Sequence, residues 1–165
     1  MSQRIIGIDP GSRITGYGVV ERRGNRLIHV GSGAIMAYKT SKDFAERMEI
    51  IFDGLRHAIA THKPDIACIE NIFYHRNAQS ALKLGHARGV AMLAARLDRL
   101  ELVEYQPTEI KQAVTGNGGA NKEQVRKMVC LLLGIPSPPK FDESDALAVA
   151  ICHLNTIPLL RQLRR

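Results

Sequence analysis

Cysteine is scarce in this sequence of 165 residues. The three cysteines, Cys68, Cys130 and Cys152, are odd in number, widely spaced and without a CxxC pair. This pattern excludes a disulfide scaffold and a cysteine zinc site, because both need cysteines in pairs or at short ligand spacings. Each cysteine lies within an apolar run, so we expect three buried free thiols in a reducing compartment.

Long apolar runs are also lacking, since no stretch of the chain approaches the ~20 apolar residues of a membrane-spanning helix. No charged segment followed by an apolar one opens the sequence, so a secretory leader is not expected. Hydrophobic residues make up 45% and charged residues 24%, which excludes whole-chain disorder and is typical of one compact domain. We therefore expect a cytoplasmic protein without a membrane partner.

Acidic residues are fewer than basic ones. The chain has 16 Asp and Glu residues and 23 Lys and Arg residues, which gives a net charge of +7. Such a surplus fits a phosphate-rich partner, because neutralising phosphates releases their condensed counterions. From charge alone, a basic protein with no such partner remains the alternative.

The order of apolar patterns predicts an α/β fold with a mixed sheet. Strands are predicted at 4–8 and twice within 15–35, where Gly24 marks a turn, so the fold begins with an antiparallel meander. Later strands alternate with helices, which is typical of a sheet flanked by helices. The later strands are predicted at 65–70 and 102–105, and the helices at 41–62, 78–97, 108–116, 122–134 and 142–157.

The predicted helix 78–97 is rich in small residues. Gly85 and Gly89 are four residues apart and are costly inside a helix. Small residues at this spacing let another backbone come close. The partner is either a neighbouring helix of the same chain or a second subunit.

Acidic residues lie at the ends of two predicted strands and at the start of the last helix. Asp9 and Glu70 end apolar strands, and Asp142 and Asp145 share one face of a helical turn. If these elements are neighbours, the carboxylates repel one another unless divalent cations lie between them, and oxygen ligands favour Mg²⁺ or Mn²⁺. Two such ions ~4 Å apart can clamp a displacement at phosphorus, with Asp9 bridging both.

Each acid also has a structural alternative. Asp9 precedes Pro-Gly and could form a turn, and Asp142 could simply cap a helix. Glu70 directly follows a largely apolar strand and has no routine structural role there. Strand-end Asp, strand-end Glu and a helical DxxD, in that order, are typical of metal-dependent nucleases.

Four segments together resemble a known family. The segments are "GIDPGSRITGYGVV", "IENIFYHRNAQSALKLGHARG", "EIKQAVTGNGGANKEQV" and "DESDALAVAICH", and they occur in this order within residues 4–154. They resemble the RuvC family of crossover junction endodeoxyribonucleases. A single DPG is common, whereas four segments in order are specific.

The resemblance implies a ribonuclease H-like fold, a five-stranded mixed sheet flanked by helices, over residues 1–156. The likeness fades after His153, and residues 157–165 form a short basic tail without an inherited role. The implied activity is cleavage of four-way Holliday junctions by paired symmetric nicks. The implied cofactor is Mg²⁺, two ions per active site with Mn²⁺ as a substitute, and the implied partners are junction DNA, a second copy of the chain and a branch-migration motor.

The resemblance also implies roles for individual residues. A catalytic, metal-holding quartet is implied for Asp9, Glu70, Asp142 and Asp145. Lys111 and Lys122 are implied to face the DNA, with Lys122 also assisting catalysis.

Phe73 and Arg76, which follow the strand that ends at Glu70, complete the predicted DNA site. Phe73 matches a family aromatic that engages bases near the junction centre, and stacking on an unpaired base contributes ~1–3 kcal/mol. Its alternative is a core phenylalanine under a loop. Arg76 is predicted to contact phosphate or, alternatively, to be a solvated surface residue.

Two other functional classes remain open at this point. One is an ATP-binding phosphotransferase domain of the sugar kinase and actin type, although such proteins usually need two domains. The other is a non-catalytic nucleic-acid-binding module. The four retained acids argue against it.

Overall fold

The computed structural model describes residues 3–71, 77–136 and 139–163, with side chains up to residue 156. The strands are β1 Gln3–Asp9, β2 Thr15–Arg23, β3 Arg26–Ile35, β4 Ile66–Glu70 and β5 Glu101–Tyr105. The helices are α1 Ala37–Thr40, α2 Phe44–His62, α3 Ala78–Leu97, α4 Pro107–Thr115, α5 Lys122–Leu133 and α6 Phe141–Leu163.

The five strands form one mixed sheet in the order β3-β2-β1-β4-β5. The first three strands pair antiparallel, which confirms the predicted meander. β4 pairs parallel with β1, and β5 pairs parallel with β4. Because β1 and β4 run in the same direction, with Ile8 beside Ile69, both strands end at the same edge of the sheet.

Each face of the sheet carries its own apolar core, as the alternation along β1 shows. Ile5 packs on the face covered by α4, α5 and α6, together with Leu147 and Ile151. Ile6 and Ile8 pack on the opposite face, which α2 and α3 cover. A sheet buried on both faces explains why its central strands read as continuous apolar runs.

Two glycines let α6 lie directly on the sheet. A Cβ at Gly7 would overlap the carbonyl of Ala146 and lie 2.7 Å from the amide nitrogen of Ala150. A Cβ at Gly16 would overlap the carbonyl of Asp142. The first turns of α6 are therefore in backbone contact with β1 and β2, beside the edge where β1 ends.

Local side-chain chemistry explains where the helices begin. Asp43 accepts a hydrogen bond from the backbone N–H of Glu46 and caps α2. Asn121 and Gln124 form a capping box at the start of α5. The short α1 was not predicted, and α6 extends beyond the predicted end at residue 157 to Leu163.

Other expectations are confirmed only in part. Cys68 and Cys152 are buried free thiols, but Cys130 on α5 is only half-buried, because the outer part of that helix is not covered by another described element. The thiol pKa of Cys68 and of Cys152 is raised, chiefly by burial. Across the described parts of the chain, every helix is too short or too polar to span a bilayer.

The glycines of α3 do not meet a neighbouring helix. Among the described residues, no atom lies within 4 Å of a Cβ built at Gly85 or Gly89. Elsewhere along its length α3 packs against α2 and β5, and it buries Ala91, Ala94 and Ala95. The described residues therefore show no packing partner at the two glycines, and the choice between a helix of the same chain and a second subunit stays a prediction.

A buried carboxylate between two arginines gives a pH-dependent stability prediction. Glu21 on β2 accepts hydrogen bonds from Arg23 and Arg4, at 2.7 and 2.8 Å, and these lower its pKa from 4.5 to about 2. The stabilisation is complete above pH 4.5 and is lost as the pH falls toward about 2. We expect Glu21→Gln to lower the urea midpoint at pH 7 by more than at pH 3. An equal loss at both values would contradict this.

Candidate active site

The four predicted acids come from three elements that meet at one edge of the sheet. Asp9 ends β1 and Glu70 ends β4, the parallel strand beside it. Asp142 and Asp145 lie at the start of α6. The Asp142 carbonyl lies against Gly16, and Gly16 is the register partner of Asp9 in the sheet. The predicted convergence of strand ends and helix start is therefore present in the fold.

A cleft of about 220 Å³ opens at this edge, between the sheet and helices α4, α5 and α6. Three of the four acids line it, and Asp142 lies beside it. The full lining is Asp9, Glu70, Pro107, Ile110, Lys111, Lys122, Val125, Asp145, Ala148 and Val149.

The pKa values of the acids show that their charges act on one another. Burial raises the pKa of Asp9 to about 8, and the charges of Asp145, Glu70 and Asp142 contribute to the rise. The pKa of Glu70 is also raised, first by burial and then by Asp145. Among the described residues, no hydrogen bond reaches the carboxylate of Asp9 or Glu70. The site therefore disfavours its own negative charges unless a cation enters.

Two lysines bring positive charge to the same cleft. Lys122, at the start of α5, donates a hydrogen bond from Nζ to Oδ2 of Asp145 at 2.9 Å, and this bond raises the lysine pKa. Its side chain is 71% exposed, so the ammonium is open to a ligand from solvent. Lys111 of α4 is half-buried, and its charge lowers the pKa of Glu70. Ammonium groups beside carboxylates suit a substrate that carries phosphate.

The donor chemistry of the site fits a hard divalent cation. The acids offer only carboxylate oxygens, which Mg²⁺ and Mn²⁺ prefer, and none of the described residues that line the cleft is a histidine or a cysteine. Within the ranges 3–71, 77–136 and 139–156, no group of three or more His, Cys, Asp or Glu side chains is placed to hold a metal ion. Asp145 is instead paired with Lys122. The carboxylate oxygens are therefore of the type that binds a divalent cation. At present the ammonium of Lys122 lies beside Asp145, close to where such a cation would bind.

The structure adds apolar walls that the sequence analysis did not assign. Ile110 and Val125 line the cleft, and Pro107 begins the helix that carries Ile110. The signal for them was present as helical periodicity, since Ile110 is four residues before Val114 and Val125 four before Val129. Phe73 and Arg76, the other two predicted DNA-binding residues, lie outside the described residues.

Comparison with known proteins agrees with this geometry. The family model described as crossover junction endodeoxyribonuclease RuvC matches residues 5–153. A crossover junction endodeoxyribonuclease RuvC from Geotalea uraniireducens is 53% identical over 98% of this chain and 94% of its own length. One from Pelobacter propionicus is 54% identical over 96% of this chain and 89% of its own length.

Solved structures share the fold. Thermus thermophilus RuvC in complex with a Holliday junction substrate superposes with a TM-score of 0.88 at 29% identity, covering 95% of this chain and 96% of that one. The yeast mitochondrial Holliday junction resolvase Ydc2 gives 0.73 at 13% identity, covering 98% and 83%, which shows the fold alone. The ribonuclease H-like fold and the enzyme class are thereby confirmed, against the phosphotransferase and non-catalytic alternatives. The chain belongs to the RuvC family of crossover junction endodeoxyribonucleases.

Proposed function

We propose that this chain cuts four-way DNA junctions by cation-assisted phosphodiester hydrolysis, leaving 5′-phosphate and 3′-hydroxyl ends. The observation that carries the proposal is the cleft itself, where acids from β1, β4 and α6 face lysines from α4 and α5. The Thermus relative was solved with a Holliday junction substrate, which supports the same substrate class here.

In this proposal Asp9, Glu70, Asp142 and Asp145 hold two Mg²⁺ per active site, or Mn²⁺ in their place. When bound, such ions activate a water and stabilise the leaving oxygen of an in-line displacement. Asp9 has the central place because it lies between the end of β4 and the start of α6. Its pKa is raised first by burial and then by the charges of the other three acids, so both effects disfavour the ionised carboxylate until a cation binds.

The lysines act on the substrate. Lys122 can exchange the carboxylate of Asp145 for a DNA phosphate, because its side chain is long and 71% exposed. Lys111, on α4, lines the same cleft and offsets the charge of Glu70. Both ammonium groups would neutralise phosphates, and binding is therefore expected to weaken as salt concentration rises.

Several sequence predictions remain part of this proposal. Phe73 stacks on a base near the junction centre and Arg76 contacts phosphate. Residues 1–156 form the nuclease domain and 157–165 a basic tail. The proposal also keeps a cytoplasmic location, expected from the free cysteines and the lack of a leader, and a branch-migration motor as partner, which the family resemblance implies.

A homodimer is proposed through the outer face of α3. Leu82, Leu93 and Leu97 are 64%, 53% and 54% exposed on this one helix. Leu82 and Leu93 border a shallow depression whose floor includes Gly85 and Gly89. Clustered apolar residues on a surface mark interaction sites, and an isologous contact would give each of two opposed junction strands its own active site.

Charges on this face should separate the subunits. We expect Leu82→Glu with Leu93→Glu to weaken the dimer about 30-fold or more, because each carboxylate would be buried in an apolar contact. Analytical ultracentrifugation across protein concentrations measures this. Leu131→Glu is the matched control, since Leu131 is 76% exposed on α5, away from the proposed contact. A double variant that dimerises as tightly as wild type would contradict the proposed interface.

The function is tested with synthetic DNA. A mobile four-way junction and a linear duplex of the same sequence are incubated with the protein, with Mg²⁺ or with EDTA. We expect paired nicks at symmetric positions in the junction only with Mg²⁺, and no comparable cutting of the duplex. ATP binding without any effect on the junction would contradict the proposal.

A further inference from the structure

A third acid lies between Asp142 and Asp145, and it does not line the cleft. Glu143 is half-buried and faces the edge strand β3, where Oγ of Ser32 donates a hydrogen bond to its Oε2 at 3.2 Å. Nε2 of His29 lies 3.1 Å from the same Oγ. Because the single hydroxyl proton points to Glu143, we assign the second hydrogen bond as Nε2–H of His29 donating to Ser32.

A β-bulge makes this chain of contacts possible. Residues three apart on a regular strand point to opposite faces of the sheet. In β3, however, His29 pairs with Val20 and Gly31 pairs with Val19, so Val30 is the extra residue of a bulge. The extra residue shifts the alternation of side chains by one position. His29 and Ser32 consequently face the same side of the sheet.

That side is the one covered by α6. Val20, opposite His29, belongs to the core beneath α6, and Gly18, opposite Ser32, lies against Leu147 of α6. Gly31, in contrast, faces His62 of α2 on the other side. The bulge therefore directs two polar side chains toward the helix turn that carries the proposed metal-holding acids.

We propose that Glu143, held by Ser32 and His29, is a positioning residue that fixes the first turn of α6 in the pose needed by Asp142 and Asp145. The proposal rests on the proposed function. The first turn of a helix lacks intrahelical partners for its N–H groups and frays easily. Here the start of α6 is held at three points: at Gly16 by close packing, at Lys122 by an ion pair, and at β3 by Glu143.

Glu143 acts in this scheme through an acceptor oxygen and not through its charge. Glutamine keeps an acceptor oxygen at the same position, so Glu143→Gln should behave as wild type. Glu143→Ala and Ser32→Ala each remove one side of the contact and should behave alike. Because both substitutions remove the same hydrogen bond, the double variant should be no more impaired than either single variant.

The experiment combines three measurements on the full chain. Hydrogen exchange of the amides of residues 143–148 reads the order of the turn, Mn²⁺ titration followed by electron paramagnetic resonance reads cation binding, and junction cleavage at saturating DNA reads kcat. We expect both alanine variants to exchange faster, to bind Mn²⁺ about 10-fold more weakly and to cleave about 10-fold more slowly, with an unchanged dissociation constant for the junction. Glu143→Gln should lie within about twofold of wild type in all three, since it keeps the acceptor. Glu49→Ala, on the exposed surface of α2, is the control for removal of an acid.

Three results would overturn the proposal. One is exchange at wild-type rate in the alanine variants, and another is faster exchange without weaker cation binding or slower cleavage. The third is a Glu143→Gln variant as impaired as Glu143→Ala, which would assign the role to charge. Failure of wild type to cut junctions would instead contradict the proposed function, and hydrogen exchange would still decide whether Glu143 holds the turn.

Discussion

Replacing Asp9 with asparagine is expected to reduce junction cleavage by at least about a thousandfold, a loss of roughly 4 kcal/mol of transition-state stabilisation. Asparagine has the shape of aspartate without its charge, so it can neither balance a cation nor bridge two of them. Asp9 lies at the centre of the site, because the charges of Asp145, Glu70 and Asp142 all act on it. Junction binding should stay within about twofold of wild type, since the lysines that neutralise phosphate are untouched.

The same variant should be more stable than wild type when no cation is present. The pKa of Asp9 is about 8 in the folded protein and 3.8 as its ordinary value, so between these pH values the native state holds a proton that the unfolded chain has released. Wild-type stability therefore falls as the pH rises from about 4 to about 8. The asparagine of the variant has no such titration. The melting temperature of Asp9→Asn should equal that of wild type near pH 4 and exceed it most at pH 8.

These measurements need thermal melts in EDTA and cleavage assays in Mg²⁺. Adding Mg²⁺ at pH 8 should raise the melting temperature of wild type and leave Asp9→Asn unchanged, because only wild type binds the ion. Asp53→Asn, at an exposed position of α2, is the matched control and should resemble wild type in every assay. Near-normal cleavage by Asp9→Asn would contradict the central role of Asp9.

A single methyl group at Gly16 should damage both the fold and the site. A Cβ there would overlap the Asp142 carbonyl and lie 2.5 Å from its carbonyl carbon, and backbone cannot move aside as a flexible side chain can. We expect Gly16→Ala to destabilise the protein by about 3 kcal/mol, the upper part of the usual range for overpacking. In the molecules that remain folded, α6 must shift away from β2, which carries Asp142 and Asp145 away from Asp9.

Urea unfolding and cleavage at a temperature where the variant is folded test this prediction. Gly118→Ala is the matched control, because the nearest atom to a Cβ at Gly118 is 3.4 Å away, an ordinary contact. It should unfold and cleave like wild type. A Gly16→Ala variant as stable and active as wild type would contradict the close contact between α6 and the sheet.

The sequence alone predicted the strands and helices, for a local physical reason, and left the meeting of the acids conditional on which elements are neighbours. Strand and helix periods follow from side-chain burial, so the run around Ile5 and Ile8 and the stripe around Ile51 and Leu55 were readable. Parallel β1 and β4 must end at one edge, which brings Asp9 and Glu70 together once the strand directions are known. The resemblance implied a mixed sheet, and the parallel direction of β1 and β4 came from the structure.

Other features depend on contacts between distant segments and were not readable. Gly7 and Gly16 look like ordinary strand glycines until α6 is placed across them. Glu143 reads as one more acid in "DESD", and only the bulge at Val30 aims Ser32 toward it. Gly85 and Gly89 suggested close packing of some kind, but their spacing does not tell which surface comes close, because a helix of the same chain and a second subunit would meet the same requirement.

The most direct test is a crystal structure with Mn²⁺ and a four-way junction whose cleavable linkages are phosphorothioates, using anomalous scattering to locate the ions. If divalent metal at this edge of the sheet drives the cutting, two anomalous peaks should flank one backbone phosphorus, both in contact with Asp9. Peaks remote from Asp9 and Glu70, or DNA crossing another face of the protein, would contradict the account.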